Sequence, residues 1–327
     1  MTEALDPAPL FDEVACAPAG GRAWWVRAAD GVRLRVGAWV PERPRGTVLL
    51  FPGRTEYIEK YGPTAGDLGA RGYAVMAIDW RGQGLADRLV EDAMSGHVHR
   101  FADYQKDVAE MVAAAGAAGM PRPWHLLAHS MGGAIGLRAA MSGLDVASAS
   151  FTGPMWGIRM AQALRPVAWS LAWGTRQLGV DHLYAPGTDS ESYVLSEPFE
   201  TNKLTTDRGM YDFMIDQLRA HPELALGGPS LRWLHEALIE TRDLARRPSP
   251  ALPCLTLAGD GEEIVDLDRI RARMDAWPGG RLEILDGALH EVLMEGPDTR
   301  AAAAEMLAAH YGDAAQPQTG TPAAEGA

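Results

Sequence analysis

The sequence predicts an α/β protein with a mostly parallel central sheet, flanked by helices and interrupted by one helical insertion. Three observations predict this class: short apolar runs typical of buried strands, helix-forming segments that alternate with them, and one long stretch where the alternation stops. The chain has 327 residues, enough to bury a large core without disulfides. Its 47% hydrophobic and 22% charged residues are the balance of a globular protein rather than a disordered one.

Eight segments are predicted to be strands. The first two, Trp24–Ala28 and Arg33–Val40, alternate polar and apolar residues and flank the turn signal Asp30-Gly31, so we expect an antiparallel hairpin at a sheet edge. Most of the other six are nearly all apolar, as expected of strands covered on both faces. These six are Thr47–Phe51, Ala74–Asp79, Trp124–His129, Ala147–Thr152, Leu252–Ala258 and Arg281–Leu285.

Helix-forming segments separate the predicted strands, which is the pattern of βαβ units in a parallel sheet. They are Tyr57–Arg71, Phe101–Ala118, Met131–Ser142, Leu267–Ala276 and Asp298–His310. Between about Pro154 and Pro248 the periodicity is helical and no convincing strand is found. We therefore predict a core in two parts, residues 1–153 and 250–311, with a helical cap at 154–249 and a disordered tail at 312–327.

Composition argues against several classes of protein. The chain has 30 Lys and Arg against 43 Asp and Glu, a net charge of −13, whereas nucleic-acid phosphates require a basic surface. Two cysteines are too few for a disulfide framework or a structural zinc site. No signal peptide and no run of about 18 apolar residues is found. We expect a cytoplasmic protein, with peripheral contact between the cap and the inner membrane compatible with this composition.

The strongest local motif surrounds Ser130. The apolar strand Trp124–His129 runs into the serine and a helix-forming stretch follows, which is the context of a nucleophile elbow, a tight strand–turn–helix that exposes a serine hydroxyl. Small residues must flank the serine because strand and helix nearly touch there, and Ala128 and Gly132 meet this need. The backbone N–H of Met131, at the helix N-terminus, is then a donor to a developing oxyanion. A serine in an ordinary small-residue turn is the alternative interpretation.

A nucleophilic serine needs a base, and in α/β-hydrolases an acid and then a histidine follow the serine along the chain. His290 lies just past the predicted late strand Arg281–Leu285, in a loop. The other histidines after Ser130 fall in the helical insertion or at the end of the last helix. Position and order therefore indicate His290 as the base.

The acid is expected in the loop that follows the strand Leu252–Ala258. Four carboxylates lie there, Asp260, Glu262, Glu263 and Asp266, and the residues alone do not decide among them. Asp266 is also placed to cap the helix that follows.

A second oxyanion donor is expected from the loop after Thr47–Phe51. That loop begins with Pro52-Gly53, and the backbone N–H of Arg54 is the predicted donor, with a plain Pro-Gly turn as the alternative. No cofactor or metal is predicted. Gly82-Gln83-Gly84 lacks the third glycine of a dinucleotide-binding loop, and His97-Val98-His99 has no companion ligands in the sequence nearby.

Six segments, spread over nearly the whole chain, share their order and sequence with one known family. They are PGRTEYIEKY, DWRGQGLADR, GHVHRFADY, AHSMGGA, LPCLTLAGDGEEIVD and GALHEVLMEGPDTR. They resemble the α/β-hydrolases of the monoacylglycerol lipase and bacterial lysophospholipase group, and are most similar to the lysophospholipase branch. The resemblance implies the α/β-hydrolase fold, a triad of Ser130, His290 and Glu262, and Arg54 and Met131 as oxyanion donors. Many relatives have Asp where this chain has Glu262.

The resemblance also implies an activity. It indicates a serine hydrolase that cleaves carboxylic esters of single-chain lipids, lysophospholipids or monoacylglycerols, through an acyl-enzyme on Ser130. The cap would then form an acyl channel, with Trp156, Trp169 and Trp173 as predicted substrate contacts, although each could instead pack the cap's own core. Other interpretations are a general carboxylesterase or acyltransferase on the same triad, a hydrolase of another bond type, and a non-catalytic lipid-binding scaffold.

Overall fold

The computed structural model describes residues 5–159 and 179–314. In this part of the chain, nine strands form one sheet. The strands are β1 Asp6–Ala8, β2 Arg22–Arg27, β3 Arg33–Trp39, β4 Gly46–Phe51, β5 Tyr73–Asp79, β6 Trp124–His129, β7 Ser148–Thr152, β8 Cys254–Gly259 and β9 Arg281–Leu285. Their order across the sheet is β1-β2-β3-β5-β4-β6-β7-β8-β9.

Helices connect the strands and cover both faces of the sheet. The α-helices are α1 Asp12–Ala15, α2 Gly62–Gly69, α3 Tyr104–Ala117, α4 Met131–Met141, α5 Tyr193–Ser196, α6 Arg208–Ala220, α7 Leu231–Leu244, α8 Leu267–Asp275 and α9 Pro297–Ala314. Single 3-10 turns occur at Ile58–Tyr61, Phe101–Asp103, Phe199–Thr201, Pro222–Leu224 and Val292–Met294.

The sheet is antiparallel at one edge and parallel elsewhere. Strands β1, β2 and β3 pair antiparallel, and β3 runs antiparallel to β5. The remaining neighbours, from β5 through β4 to β9, are parallel. The predicted hairpin and parallel sheet are confirmed, but the three-residue β1 was missed, because its sequence, Asp-Pro-Ala, has neither apolar alternation nor strand-forming residues.

The parallel strands separate two layers of core. In β4, Leu49 and Phe51 pack into the cluster that includes α3 and α4, whereas Val48 and Leu50 pack into the cluster that includes α2 and α9. Successive side chains of a strand point to opposite faces, so an apolar strand supplies both layers. Burial on both faces holds the carboxyl ends of the parallel strands in fixed positions at one edge.

The helical insertion lies between β7 and β8. In its described part, α5, α6 and α7 and two 3-10 turns replace the strand–helix alternation. Helix α7 is attached to α4, since Arg138 in α4 lies 2.7 Å from Glu240 and 2.6 Å from Asp243 in α7. The insertion is thus held beside the helix that follows Ser130.

The last helix is longer than predicted. Helix α9 reaches Ala314, so residues 312–314, predicted as the start of a disordered tail, are helical. The buried Tyr311 anchors this end, because its hydroxyl lies 2.6 Å from Ser150 Oγ in β7. None of the helices in the two described ranges combines the length and apolar character needed to cross a bilayer.

Candidate active site

Ser130 occupies a strained turn between β6 and α4. Its φ of 50° and ψ of −117° lie outside the regions that non-glycine residues ordinarily adopt, as a nucleophile elbow requires. A Cβ on Gly132 would lie 2.1 Å from the carbonyl oxygen of Phe51, and a Cβ on Gly136 would lie 3.0 Å from the Cβ of Ala128. The small residues predicted here are therefore required by the close approach of α4 to β4 and β6.

Three parallel strands bring the predicted triad together. Ser130 follows β6, Glu262 follows β8 and His290 follows β9, and the carboxyl ends of these strands lie at one edge of the sheet. Ser130 Oγ lies 2.9 Å from His290 Nε2, and His290 Nδ1 lies 2.6 Å from Glu262 Oε2. The hydroxyl, imidazole and carboxylate form one continuous hydrogen-bonded chain, the arrangement of nucleophile, base and orienting acid.

Both oxygens of the buried Glu262 carboxylate are engaged. While Oε2 faces the imidazole, Oε1 accepts the backbone N–H groups of Ile264 at 2.7 Å and Val265 at 3.0 Å. Burial opposes ionisation, but His290 and these N–H groups outweigh it, so the pKa of Glu262 lies below its usual value. Burial also favours a neutral imidazole, yet the Glu262 charge prevails and raises the pKa of His290 above its usual value. The carboxylate is therefore ionised whenever the imidazole takes up a proton.

The other carboxylates of the same loop have different partners. Asp260 accepts a backbone N–H from the turn after β9. Glu263 lies on the surface, 3.0 Å from Lys203. Asp266 caps α8, as predicted. Of the four candidates, Glu262 is the one whose carboxylate reaches the imidazole.

The two predicted oxyanion donors border the same cavity. Arg54 follows β4, Met131 begins α4, and both line the space into which Ser130 opens. Within residues 5–159 and 179–314, neither backbone N–H donates to a protein acceptor. Most buried N–H groups in proteins are paired. Because these two have no described protein acceptor, they are available to bind an incoming oxygen.

The cavity beside Ser130 has a volume of about 370 Å³. Much of its wall is apolar and comes from the insertion: Val194, Leu204, Met214, Leu218, Trp233 and Leu234. Most of the polar lining residues come from the core, among them Lys60, Ser130 and His290. The cavity can therefore hold a molecule with one apolar and one polar end.

Trp156, predicted to contact substrate, does not line this cavity. Its ring packs against Phe151 and Trp277, with centroid distances of 5.0 and 6.2 Å, and its indole N–H donates to the Gly133 carbonyl at 3.1 Å. The prediction is corrected because Met155 takes the cavity-facing position, so Trp156 packs in the core instead.

The structure does not describe the other two tryptophans that were predicted to contact substrate. Trp169 and Trp173 lie outside the described residues. Trp233, which was not selected as a site residue, lines the cavity. The signal in the sequence was the position of Trp233 at the start of the amphipathic helix α7. Helical periodicity shows that such a residue faces inward, but not whether it lines a cavity or packs in a core.

Residues 42–297 match the family model described as serine aminopeptidase, S33. The chain belongs to this family. Lysophospholipase L2 of Escherichia coli strain K12 is 33% identical over 270 residues, which cover 80% of this chain and 78% of that protein. A probable lysophospholipase L2 of Haemophilus influenzae is 29% identical over 258 residues, covering 78% and 80%.

Solved structures share the fold of this S33-family hydrolase. A soluble variant of monoglyceride lipase from Saccharomyces cerevisiae superimposes with a TM-score of 0.70 at 18% identity, covering 90% of this chain and 95% of that one. A carboxyl esterase from Bacillus coagulans gives 0.66 at 15% identity, covering 90% and 99%. The α/β-hydrolase fold and membership of the serine hydrolases, both predicted from the sequence, are confirmed.

The S33-family hydrolase also carries a buried group of charges beside its triad, which sequence analysis missed. Lys60 Nζ lies 2.7 Å from Glu56 and 2.5 Å from Glu291. His129 Nε2 lies 3.6 Å from Glu56, and burial lowers the pKa of His129 to about 4, so this ring is neutral. The signals were the i,i+4 spacing of Glu56 and Lys60 and the dipeptide His290-Glu291, which resemble ordinary surface pairs in sequence.

Three members of this group are of the residue types that bind metal ions. Glu56, His129 and Glu291 each offer a ligand atom, and the three atoms lie within 4.8 Å of one another. The Lys60 ammonium already contacts both carboxylates, so a metal would have to displace a buried cation. Glu56 also accepts the Gly53 N–H, which orients the loop that carries Arg54, the second predicted oxyanion donor. The group therefore fits an internal ion-pair network rather than a metal centre.

Proposed function

We propose that this chain hydrolyses the carboxylic ester of single-chain lipids, lysophospholipids or monoacylglycerols, through an acyl-enzyme on Ser130. The observation that carries the proposal is the hydrogen-bonded chain Ser130–His290–Glu262 in the wall of a cavity that is largely apolar. The names of two similar proteins, lysophospholipase L2 and monoglyceride lipase, support a lipid ester as substrate.

In the acylation step, Ser130 Oγ attacks the ester carbonyl while His290 Nε2 takes the hydroxyl proton. The backbone N–H groups of Arg54 and Met131 bind the oxyanion that forms, and Glu262 stabilises the imidazolium. Collapse of the tetrahedral intermediate breaks the ester C–O bond. His290 then donates its proton to the leaving alcohol, leaving the acyl group on Ser130.

In the deacylation step, the same groups act on water. The neutral His290 imidazole removes a proton from water as the hydroxyl attacks the acyl carbonyl, and Ser130 leaves with that proton. Glu262 accepts a hydrogen bond from His290 Nδ1 throughout, which keeps His290 Nε2 free to act as the base. An alcohol in place of water would give acyl transfer by the same steps.

The acyl chain is assigned to the apolar wall supplied by the insertion. Met214, Leu218 and Leu234 belong to that wall and line the same cavity as Ser130 and His290. Transfer of each methylene of an acyl chain from water to such a wall is worth about 0.8 kcal/mol, so chain length should strongly influence KM. The contact of the cap with a membrane and the cytoplasmic location predicted above remain part of this proposal.

A fluorophosphonate probe and a substrate panel test the proposal together. The probe should label the wild-type chain at Ser130, and Ser130→Ala should remove both labelling and esterase activity. Ser142→Ala is the matched control, because among the described residues that hydroxyl bonds only the Arg138 carbonyl, and Ser142 does not line the cavity. Labelling elsewhere, or activity that survives Ser130→Ala, would contradict the triad.

The panel compares lysophospholipids, monoacylglycerols, short p-nitrophenyl esters and an aminoacyl p-nitroanilide. Fatty acid release from the long-chain lipids should exceed the cleavage of short esters. The anilide is included because the family description names an aminopeptidase, and amide cleavage begins with the same attack. A preference for the shortest esters or for the anilide would overturn the lipid assignment.

A further inference from the structure

The side chain of Arg54 lies in the wall of the catalytic cavity and is only partly buried. Its Nη1 donates to the carbonyl oxygen of Gly227 at 2.9 Å, and its guanidinium carbon lies 5.7 Å from the centre of the Trp233 ring. Gly96 leaves room beside it, since a Cβ there would lie 3.2 Å from Nη1. One carbonyl and one indole face therefore hold the guanidinium in place without neutralising its charge.

This guanidinium has no carboxylate partner in the part of the chain that the structure describes. Within residues 5–159 and 179–314, no Asp or Glu oxygen lies within ion-pair distance of Arg54. The intervening residues 160–178 contain no Asp or Glu. Burial lowers the pKa of Arg54 to about 10, and no carboxylate offsets this effect. A partly buried cation without a counter-ion is unusual, because buried charges in proteins are normally paired.

The other charged side chains that line the cavity are already matched. Lys60 lies between Glu56 and Glu291, with its Nζ 2.7 and 2.5 Å from their carboxylate oxygens. The hydrogen bonds of Glu56 to Lys60 and Tyr61 keep it within the network. Arg54 is thus the cation of the cavity whose charge is left for a ligand.

We propose that the Arg54 guanidinium binds the phosphate of a lysophospholipid headgroup and makes this phosphate a determinant of substrate selection. Its Nε and Nη2 groups donate to no described protein atom, and a guanidinium presents such donors in a fork that matches two phosphate oxygens. This inference rests on the proposed function, and it goes beyond it by separating phosphate-bearing esters from neutral monoacylglycerols.

The position of Arg54 explains how one residue can bind both the ester group and the phosphate group of such a substrate. In a 1-acyl lysophospholipid, the three glycerol carbons separate the ester oxygen from the phosphate oxygen. The Arg54 backbone N–H is assigned to the ester oxyanion, and the guanidinium of the same residue lies beside Trp233, which lines the same cavity. A phosphate on the guanidinium therefore keeps the ester near Ser130, while the acyl chain lies along the apolar wall.

The test measures kcat/KM for a 1-acyl lysophosphatidylcholine and for the monoacylglycerol with the same chain, below their micelle concentrations. In Arg54→Met, the ratio of the two values should fall by roughly 10- to 100-fold, the loss of one or two charge-assisted hydrogen bonds. The loss should lie mainly in KM. Arg54→Lys should restore part of the ratio, because an ammonium keeps the charge but not the fork.

Arg88→Met is the matched control. Arg88 also donates to backbone carbonyls of the same segment, those of Glu223 and Ala225, but it does not line the cavity. The ratio should stay within about twofold of wild type in this variant. Dodecylphosphocholine, a single-chain phosphate without a carboxylic ester, should inhibit the wild type competitively and inhibit Arg54→Met at least tenfold less.

The outcomes separate this inference from the proposed function. If Arg54→Met loses activity toward both lipids equally and its ratio is unchanged, Arg54 only supports its loop and the inference is wrong, while lipid ester hydrolysis stands. If Arg88→Met lowers the ratio as much as Arg54→Met, the effect comes from the Glu223–Gly227 segment and the inference is again wrong. If the folded wild type cleaves neither lipid, the proposed function itself fails.

Discussion

At the scale of single residues, neighbouring carboxylates in one loop perform different tasks. Glu262 is buried with its two oxygens divided between the imidazole and two backbone N–H groups. The adjacent Glu263 is half exposed and pairs with Lys203. The Glu262 side chain is buried and the neighbouring Glu263 side chain faces solvent, which separates their partners. The longer arm of Glu, compared with the Asp of many relatives, still brings Oε2 to 2.6 Å from Nδ1.

Replacement of Glu262 by Gln should lower kcat by about two to four orders of magnitude, because the amide no longer holds the active tautomer or stabilises the imidazolium. Glu263→Gln is the control and should retain near-normal kcat, since its carboxylate lies away from the imidazole. Both are measured with a soluble ester at fixed pH. A large loss in Glu263→Gln with Glu262→Gln near normal would reverse the assignment.

The pH dependence of kcat/KM provides a separate residue-scale prediction. His290 acts as a base only when neutral, and the Glu262 charge raises its pKa above the usual value of about 6.5. Activity should therefore fall as pH decreases through a midpoint above that value. In Glu262→Gln the residual activity should show this midpoint at lower pH, because the strongest interaction that raises the pKa of the imidazole is lost, while burial, which lowers it, is opposed only by the smaller effects of Glu291 and Glu56. An unchanged midpoint would show that another group titrates.

At the scale of elements, the close contact between α4 and the strands β4 and β6 forms the elbow. Gly132 faces the backbone carbonyls of Phe51, at the end of β4, and of Pro52, and backbone oxygens cannot move aside as a flexible side chain can. Met131, the first residue of α4, lines the cavity beside Ser130. The position of α4, the strained backbone of Ser130 and the proposed oxyanion site therefore depend on the same close packing.

Gly132→Ala should destabilise the fold by about 1–3 kcal/mol or more through overpacking, and should reduce kcat further by shifting the elbow. Gly116→Ala is the control: Gly116 lies in α3, and a Cβ there meets nothing within 4 Å. That change should leave stability equal or raise it by about 0.5–1 kcal/mol, since Ala favours a helix over Gly. Urea unfolding measures both. Equal stability of the two variants would contradict the close approach.

At the scale of the whole molecule, a buried ion network joins the antiparallel edge of the sheet to the parallel part. Arg35 in β3 contacts Glu59 and Asp79, both at 2.7 Å, and these side chains are fully buried. Asp79 also accepts the Ile58 N–H at 2.9 Å, at the start of the turn that follows the oxyanion loop. The network therefore connects the distant hairpin to the position of Arg54.

Arg35→Met should lower the free energy of unfolding by about 3–5 kcal/mol, because it leaves two buried carboxylates without their cation. Arg281→Ala is the control, since Arg281 pairs with Glu283 where both are largely exposed, and little change is expected. Denaturant unfolding measures the difference. A small loss in Arg35→Met would mean that the carboxylates take up protons at little cost.

The hairpin, the apolar parallel strands and the serine elbow could be predicted from the sequence because each depends on a local pattern. A strand between two helical layers needs a short apolar run, and an elbow needs small residues within a few positions of its serine. The placement of His290 beside Ser130 could also be predicted, since strand order determines which loop reaches the serine. The short β1 and the helical residues 312–314 were not predicted. Strand β1 depends on its pairing with β2, and the end of α9 depends on the contact of Tyr311 with Ser150 in β7.

Fold class, the serine and the histidine were thus determined by the sequence alone. Tertiary structure decided which carboxylate reaches the imidazole, that Trp156 packs in the core, and that Lys60 lies between two glutamates. It also decided that the Arg54 guanidinium has no carboxylate beside it in the described chain. The physical reason is that charge pairing and burial depend on distances between loops that are far apart in sequence, whereas strand, turn and motif depend on neighbours.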